Sequence, residues 1–221
     1  MAQPTAARVL KRIAVLCICV LVVSGCAPEE RIPTIVDDHT ISPVYPAPKL
    51  VPPLTHTVVN NHPSAPQGWI PPAAIERQWT AIVVHHSGTP GGNAAIFDKW
   101  HREGRHWEGV GYDFVIGNGT DSPDGRIEVT FRWLEQKTGA HCKTPDNWAN
   151  ERGIGICLVG NFDKTRPTRK QLASLARLVR FLQQRYHIPM KRIFGHKTVP
   201  GANKTDCPGK YFPMGRLKAM L

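Results

Sequence analysis

The chain has 221 residues, six cysteines and a formal net charge of +11. This length allows one ordinary domain with additional segments. A basic protein can bind nucleic acid or an anionic surface, but the sequence has neither a helix-turn-helix pattern nor a glycine-aromatic-basic signature. We therefore expect no nucleic acid partner.

Residues 1–25 have the layout of a secretory signal peptide. Three basic residues precede an uncharged apolar run, residues 13–23, which is too short to be a permanent membrane-spanning helix. The next residues, Val23-Ser24-Gly25-Cys26, resemble the lipobox of bacterial lipoproteins, in which cleavage leaves the cysteine as a lipidated N-terminus. An ordinary signal peptide cut at a nearby small residue is the alternative.

The lipobox resemblance implies export and a membrane anchor on Cys26. Ala27 after this cysteine resembles outer-membrane sorting signals, so we expect a lipoprotein of the cell envelope, on the outer membrane and facing the periplasm. Loss of the leader, which has three basic and no acidic residues, lowers the net charge from +11 to +8. A basic exported protein suits anionic lipid headgroups or wall polymer.

After the leader, residues 26–72 are rich in proline, which breaks helices and strand ladders, so we predict a lipid-anchored linker there and a single domain over residues 73–221. Only Cys142, Cys157 and Cys207 remain for this domain. Their odd number argues against a disulfide framework, although a bond between Cys142 and Cys157 stays open.

The domain alternates predicted strands and helices. Apolar and alternating patterns predict strands over residues 80–87, 111–117, 126–131, 153–160 and 192–196, and the fourth is apolar enough to be a central strand covered on both faces. Asn93 is a helix N-cap, residues 168–171 form a capping box before a long amphipathic helix, and residues 214–221 form a short closing helix. We therefore expect an α/β (α+β) domain with a mixed central sheet flanked by helices.

Two of the predicted strands deliver histidine to a sheet edge. His85 and His86 end the first strand, and His196 ends the last. A loop rich in glycine and proline then leads to Cys207. A catalytic zinc ion takes three nitrogen or sulfur ligands and keeps a position open, so His85, His196 and Cys207 are candidate ligands. Metal binding, base catalysis and simple exposure at a strand end are alternatives for the histidines.

Six pieces of the sequence, in order, resemble the zinc-dependent N-acetylmuramoyl-L-alanine amidases, the type shared by peptidoglycan recognition proteins and amidase-type phage lysozymes. They are Val83-Val84-His85-His86-Ser87, residues 109–116, Gly139-Ala140-His141, residues 153–160, Gly195-His196 and Thr205-Asp206-Cys207-Pro208-Gly209. The resemblance covers residues 79–213. It implies a mixed sheet with flanking helices, a zinc ion, and a groove for peptidoglycan or muropeptide.

The resemblance also implies roles for single residues. His85, His196 and Cys207 match the zinc ligands, and Tyr112 matches the catalytic tyrosine. Thr205 stands where the family carries a second catalytic group, although the neighbouring Lys204 can also reach the site. His141 is expected to contact substrate. His86 is expected to be a packing or hydrogen-bonding neighbour of the metal ligand, or to face substrate with His141.

One position departs from part of the family. Cys157 stands where some branches carry a carboxylate base, which increases the expected reliance on Tyr112. The expected reaction is hydrolysis of the amide bond between N-acetylmuramic acid and L-alanine by a monomeric enzyme. A non-catalytic peptidoglycan-binding module is the alternative, as is a cysteine peptidase that uses Cys207 and His196. The position of Cys207 in a loop before Pro208 disfavours the peptidase.

Overall fold

A computed structural model describes residues 65, 66 and 68–221. Its centre is a five-stranded sheet in the order β3-β2-β4-β1-β5. The strands are β1 (Ala81–His86), β2 (Phe114–Ile116), β3 (Ile127–Val129), β4 (Gly153–Leu158) and β5 (Ile193–Gly195). Strand β3 pairs antiparallel with β2, and the remaining pairs are parallel, which confirms the predicted mixed sheet.

The central position of β4 confirms the interpretation of its apolar run. All six of its residues are buried, because β2 and β1 pair with its two edges and side chains cover both faces. Strand β2 is shorter than predicted. The expected third strand also ends early, because Phe131 starts a short helix instead of continuing β3.

Among the described residues, five α-helices surround the sheet: α1 (Ala94–Arg105), α2 (Phe131–Leu134), α3 (Trp148–Arg152), α4 (Arg169–Tyr186) and α5 (Met214–Ala219). Helix α1 begins at Asn93, whose side chain accepts a hydrogen bond from the Ile96 amide. Helix α4 begins at the predicted capping box of Thr168 and Gln171. Single 3-10 turns span Met190–Arg192 and His196–Thr198.

The core lies on both faces of the sheet. Ile82 and Val84 of β1 belong to the larger cluster, which contains the apolar stripe of α4. The opposite face carries two smaller clusters, one with Phe97 of α1 and one with Val83 of β1. Because side chains alternate along a strand, His85 points to the face with the smaller clusters and His86 to the face with α4.

Packing also involves Trp69, a residue of the predicted linker. It is 3% exposed, and its carbonyl accepts a hydrogen bond from the Trp133 indole. The sequence analysis placed Trp69 in the linker because of the prolines around it. The predicted leader, Cys26 and residues 27–64 of the linker lie outside the described residues, as does residue 67. Within the described part of the chain, no helix is long and apolar enough to cross a membrane.

Candidate metal centre

Three side chains meet at the carboxyl edge of β1 and β5. One nitrogen of His85, one nitrogen of His196 and the sulfur of Cys207 all lie within 4.8 Å of one another. The two histidines meet because β1 and β5 are parallel neighbours with Val84 opposite Gly195, so the next residue of each strand emerges at the same edge. Their ring centroids are 4.6 Å apart.

Cys207 reaches this edge because its loop is held at several points. The Lys197 amide donates a hydrogen bond of 2.7 Å to the Cys207 carbonyl, and the Tyr211 amide donates one of 2.8 Å to the Phe162 carbonyl. Gly209 has a φ of +98° and packs so closely on the Phe162 backbone that a Cβ atom would overlap it. These contacts leave the Cys207 sulfur 3.6 Å from His85 Nδ1.

The site is electrostatically suited to a soft divalent cation. Burial, reinforced by the neighbouring histidines, lowers the pKa of His85 well below its usual range, and burial also lowers that of His196. Both imidazoles are therefore neutral and have a lone pair available. Burial raises the pKa of the Cys207 thiol to about 12, so this thiol ionises only when a cation compensates its charge.

These residues fit zinc. Two imidazole nitrogens and one sulfur are the ligand types that zinc prefers, and three protein ligands leave one coordination position open. No described carboxylate belongs to the cluster. The raised thiol pKa also argues against Cys207 as the nucleophile of a cysteine peptidase, which needs a thiolate without a metal.

Tyr112 lies beside the cluster, next to the start of β2. Its ring centroid is 5.3 Å from that of His85 and 5.8 Å from that of His101. Burial raises its pKa well above the usual range, and the neighbouring Cys157 adds to this shift. The phenol therefore stays protonated at neutral pH and can donate a hydrogen bond. Cys157, which is opposite His85 in the β1–β4 register, is buried and has no disulfide partner in the described chain.

The two remaining predicted histidines lie on different sides of β1. His141 is 8% exposed, and its Nδ1 is 3.1 Å from His85 Nε2. His86 faces away from the cluster, where its Nδ1 accepts a hydrogen bond of 3.0 Å from the Phe162 amide. The His86 backbone amide partly offsets the effect of burial on Cys207 and lowers the pKa of that thiol.

The two candidates for the second catalytic group differ in exposure. Thr205 is half-buried, and its Oγ1 accepts a hydrogen bond of 3.2 Å from the Cys207 amide. Lys204 is exposed. Both stay predictions as groups that contact the reacting amide.

Several residues of the site escaped the sequence analysis. Asn150 Oδ1 accepts hydrogen bonds from the amides of His141 and Cys142, at 2.9 and 2.8 Å, and so holds the loop that carries His141. His101 lies between Tyr112 and the exposed Trp107, with its ring centroid 4.9 Å from that of Trp107. The only sequence signal for this surrounding layer is the pair of glycines, Gly139 and Gly155, that flank the His141 ring.

Comparison with known proteins identifies the family. The sequence profile described as N-acetylmuramoyl-L-alanine amidase matches residues 75–210. The solved structure of the amidase LysC from Clostridium intestinale is 33% identical, with 64% of this chain and 84% of that chain covered and a TM-score of 0.54.

Two curated relatives are less similar, and the chain covers only part of each. The human N-acetylmuramoyl-L-alanine amidase is 25% identical over 164 residues, which cover 67% of this chain and 26% of the human protein. Peptidoglycan-recognition protein LB of Drosophila melanogaster is 29% identical over 150 residues, which cover 63% of this chain and 56% of that protein. The chain therefore spans about a quarter of the human protein and just over half of the Drosophila protein.

Proposed function

The chain belongs to the N-acetylmuramoyl-L-alanine amidase family, and we propose on this basis that it is a zinc-dependent enzyme that cuts peptidoglycan or its fragments. The proposed reaction is hydrolysis of the amide bond between the lactyl group of N-acetylmuramic acid and L-alanine. The observation that carries the proposal is the convergence of His85, His196 and Cys207 beside Tyr112.

The scissile amide is a poor electrophile, so its hydrolysis requires groups that orient the attacking water and stabilise the developing negative charge. A zinc ion, when bound, supplies Lewis-acid polarisation of the carbonyl and acidifies a water molecule. Tyr112, as a protonated phenol, donates a hydrogen bond that orients the attacking water or the carbonyl. Thr205 or Lys204 donates a hydrogen bond to the oxygen on which negative charge develops. The departing alanine nitrogen takes up the proton that the attacking water loses, so one water molecule is consumed for each amide bond broken.

Two features favour an enzyme over a binding module. A module that only holds peptidoglycan needs neither a third metal ligand nor a phenol beside the metal position. Here Cys207 completes the ligand set, and the Tyr112 ring contacts the ring of a ligand, His85.

Zinc content and reaction products test this function in the purified full chain. We expect about one zinc ion per chain and, from a defined muropeptide, a free peptide that begins with L-alanine. Cys207→Ala should lose both zinc and products. Cys142→Ala is the matched control, because this buried thiol lies outside the ligand cluster, and it should keep both. A zinc-free active wild type would refute the metal mechanism, and a zinc-loaded chain that binds muropeptide without cutting it would identify a binding module.

We further propose that the protein is a lipoprotein anchored through Cys26 to the outer membrane. The order of charged, apolar and small residues before Cys26 supports this. Metabolic labelling with a radioactive fatty acid should mark the wild type and leave Cys26→Ala unlabelled, and the labelled protein should co-sediment with outer-membrane vesicles. A labelled Cys26→Ala variant would exclude this anchor.

A further inference from the structure

The imidazole of His141 lies in a closely fitted slot beside the metal centre. A Cβ atom on Gly139 would lie 2.6 Å from His141 Cδ2, and a Cβ atom on Gly155 would overlap the same atom. Both distances are shorter than real carbon contacts, so only glycine at these positions leaves room for the ring. Asn150 also holds the His141 backbone amide, so the backbone of this residue and its ring are both restrained.

The hydrogen bonds of the slot determine which nitrogen of His141 carries the proton. Nε2 lies 3.2 Å from the Gly153 carbonyl oxygen. A carbonyl oxygen only accepts, so Nε2 must carry the hydrogen. The residue is only 8% exposed, and its two ring partners, His85 and the Gly153 carbonyl, offer no negative charge to balance a second proton. The ring is therefore neutral, and its Nδ1 has a free lone pair.

The same reasoning then applies to His85. Its Nε2 lies 3.1 Å from His141 Nδ1, and because that nitrogen is an acceptor, His85 Nε2 must donate. A neutral His85 that is protonated at Nε2 has its lone pair on Nδ1. This is the nitrogen that lies 3.6 Å from the Cys207 sulfur.

We propose that His141 is a positioning residue that selects the Nε2–H tautomer of His85 and turns its Nδ1 toward the metal position. The proposal rests on the proposed zinc site and deepens it. Hydrogen bonds of this kind orient metal-bound imidazoles and raise their basicity. The hydrogen bonds run from the Gly153 carbonyl to the His141 imidazole and from there to the imidazole of the ligand His85.

This role differs from the substrate contact that the sequence predicts for His141. Both ring nitrogens of His141 already have partners, Gly153 and His85, and the residue is buried. The ring therefore has no free polar atom to offer a muropeptide. A substrate role and a positioning role also affect different measured quantities, so experiment can separate them.

Zinc affinity is the first test, measured on the full chain by competition with a chromophoric chelator. His141→Leu removes the acceptor for His85 and should weaken zinc binding about 10- to 100-fold. His141→Asn can place an amide oxygen near the former Nδ1 position and should recover most of that loss. Cys142→Ala is the control for a change at a neighbouring buried side chain and should bind zinc like the wild type.

Kinetics at saturating zinc provide the contrast. If His141 positions His85, its variants keep the wild-type KM once zinc is restored. If His141→Leu instead binds zinc like the wild type and raises only KM, the residue contacts substrate and the inference is wrong. A wild type that binds no zinc overturns the proposed function, whatever the His141 variants do.

The tautomers of His85 and His141 can be measured in the wild-type protein, so this test needs no variant that could fail to fold. Long-range proton–nitrogen NMR spectra of the zinc-free wild type should show His85 protonated at Nε2, with an unprotonated Nδ1, and His141 protonated at Nε2. A His85 ring protonated at Nδ1 would overturn the inference directly.

Discussion

Asp113 should make the stability of the domain depend on pH. This carboxyl group, directly before β2, is fully buried. Its Oδ2 accepts a hydrogen bond of 2.7 Å from the Gly155 amide, while its Oδ1 has no partner among the described residues. Burial raises the pKa of Asp113 from 3.8 to about 7, against the opposing effects of the Gly155 bond and the nearby arginines.

The sign and size of the effect follow from linkage. In the unfolded chain the group ionises near its ordinary pKa of 3.8, whereas the folded domain keeps the proton up to about pH 7. The folded state therefore loses stability from this group as the pH rises from about 4 to about 7, and the contribution is most favourable below that window. A shift of about three pKa units corresponds to about 4 kcal/mol at 1.36 kcal/mol per unit.

Urea unfolding of the zinc-free chain in the presence of a chelator measures this effect, with tryptophan fluorescence as the signal. Asp113→Asn cannot ionise, so its stability relative to the wild type should rise by up to about 4 kcal/mol between pH 4 and pH 7. Ile156→Val is the control, because this buried β4 substitution adds no titrating group and should cost about 0.5–1.5 kcal/mol at each pH. A difference between wild type and Asp113→Asn that does not change with pH would refute the reasoning.

Two further predictions concern the metal centre. Gly155→Ala should push the His141 ring out of its slot and weaken zinc binding about 10- to 100-fold. Gly104→Ala is the control and should bind zinc normally, because its added Cβ meets nothing within 4 Å. Normal zinc affinity in Gly155→Ala would show that zinc binding does not need the slot. Tyr112→Phe should keep zinc but lower kcat on a defined muropeptide by on the order of 100-fold or more, because it removes the donor beside the cluster. Unchanged turnover would remove the phenol from the mechanism.

The sequence predicts those parts of the fold that local patterns determine. The apolar run of β4 and the capping box of α4 each occur in continuous sequence, and both were confirmed. Helices α2 and α3 have four and five residues, which is too short to show a helical period, and they were missed. The early end of β3 has the same cause, because Phe131 continues the alternating pattern while its backbone turns into α2.

The metal centre is harder to predict from the sequence than the strands and long helices, because its geometry depends on contacts between residues far apart in the sequence. The histidines at the ends of β1 and β5 follow from strand prediction, since parallel neighbours emerge at one edge. The return of Cys207 depends on hydrogen bonds from its loop to other segments. The residue types alone made Cys207 a candidate ligand, and the family resemblance strengthened that assignment. The link from Gly153 through His141 to His85 joins three segments, and the local sequence around His141 could not reveal it.

The two adjacent histidines of β1 connect this strand both to the ligand cluster and to the loop that carries Cys207. Alternation sends the His85 side chain to the ligand cluster and the His86 side chain to the other face, where it accepts the Phe162 amide. The Phe162 carbonyl in turn accepts the Tyr211 amide, and this contact helps to hold the loop of Cys207. The strand that supplies the first ligand therefore also restrains the last one, through Phe162. Two ligands more than a hundred residues apart can therefore keep a fixed separation before any metal binds.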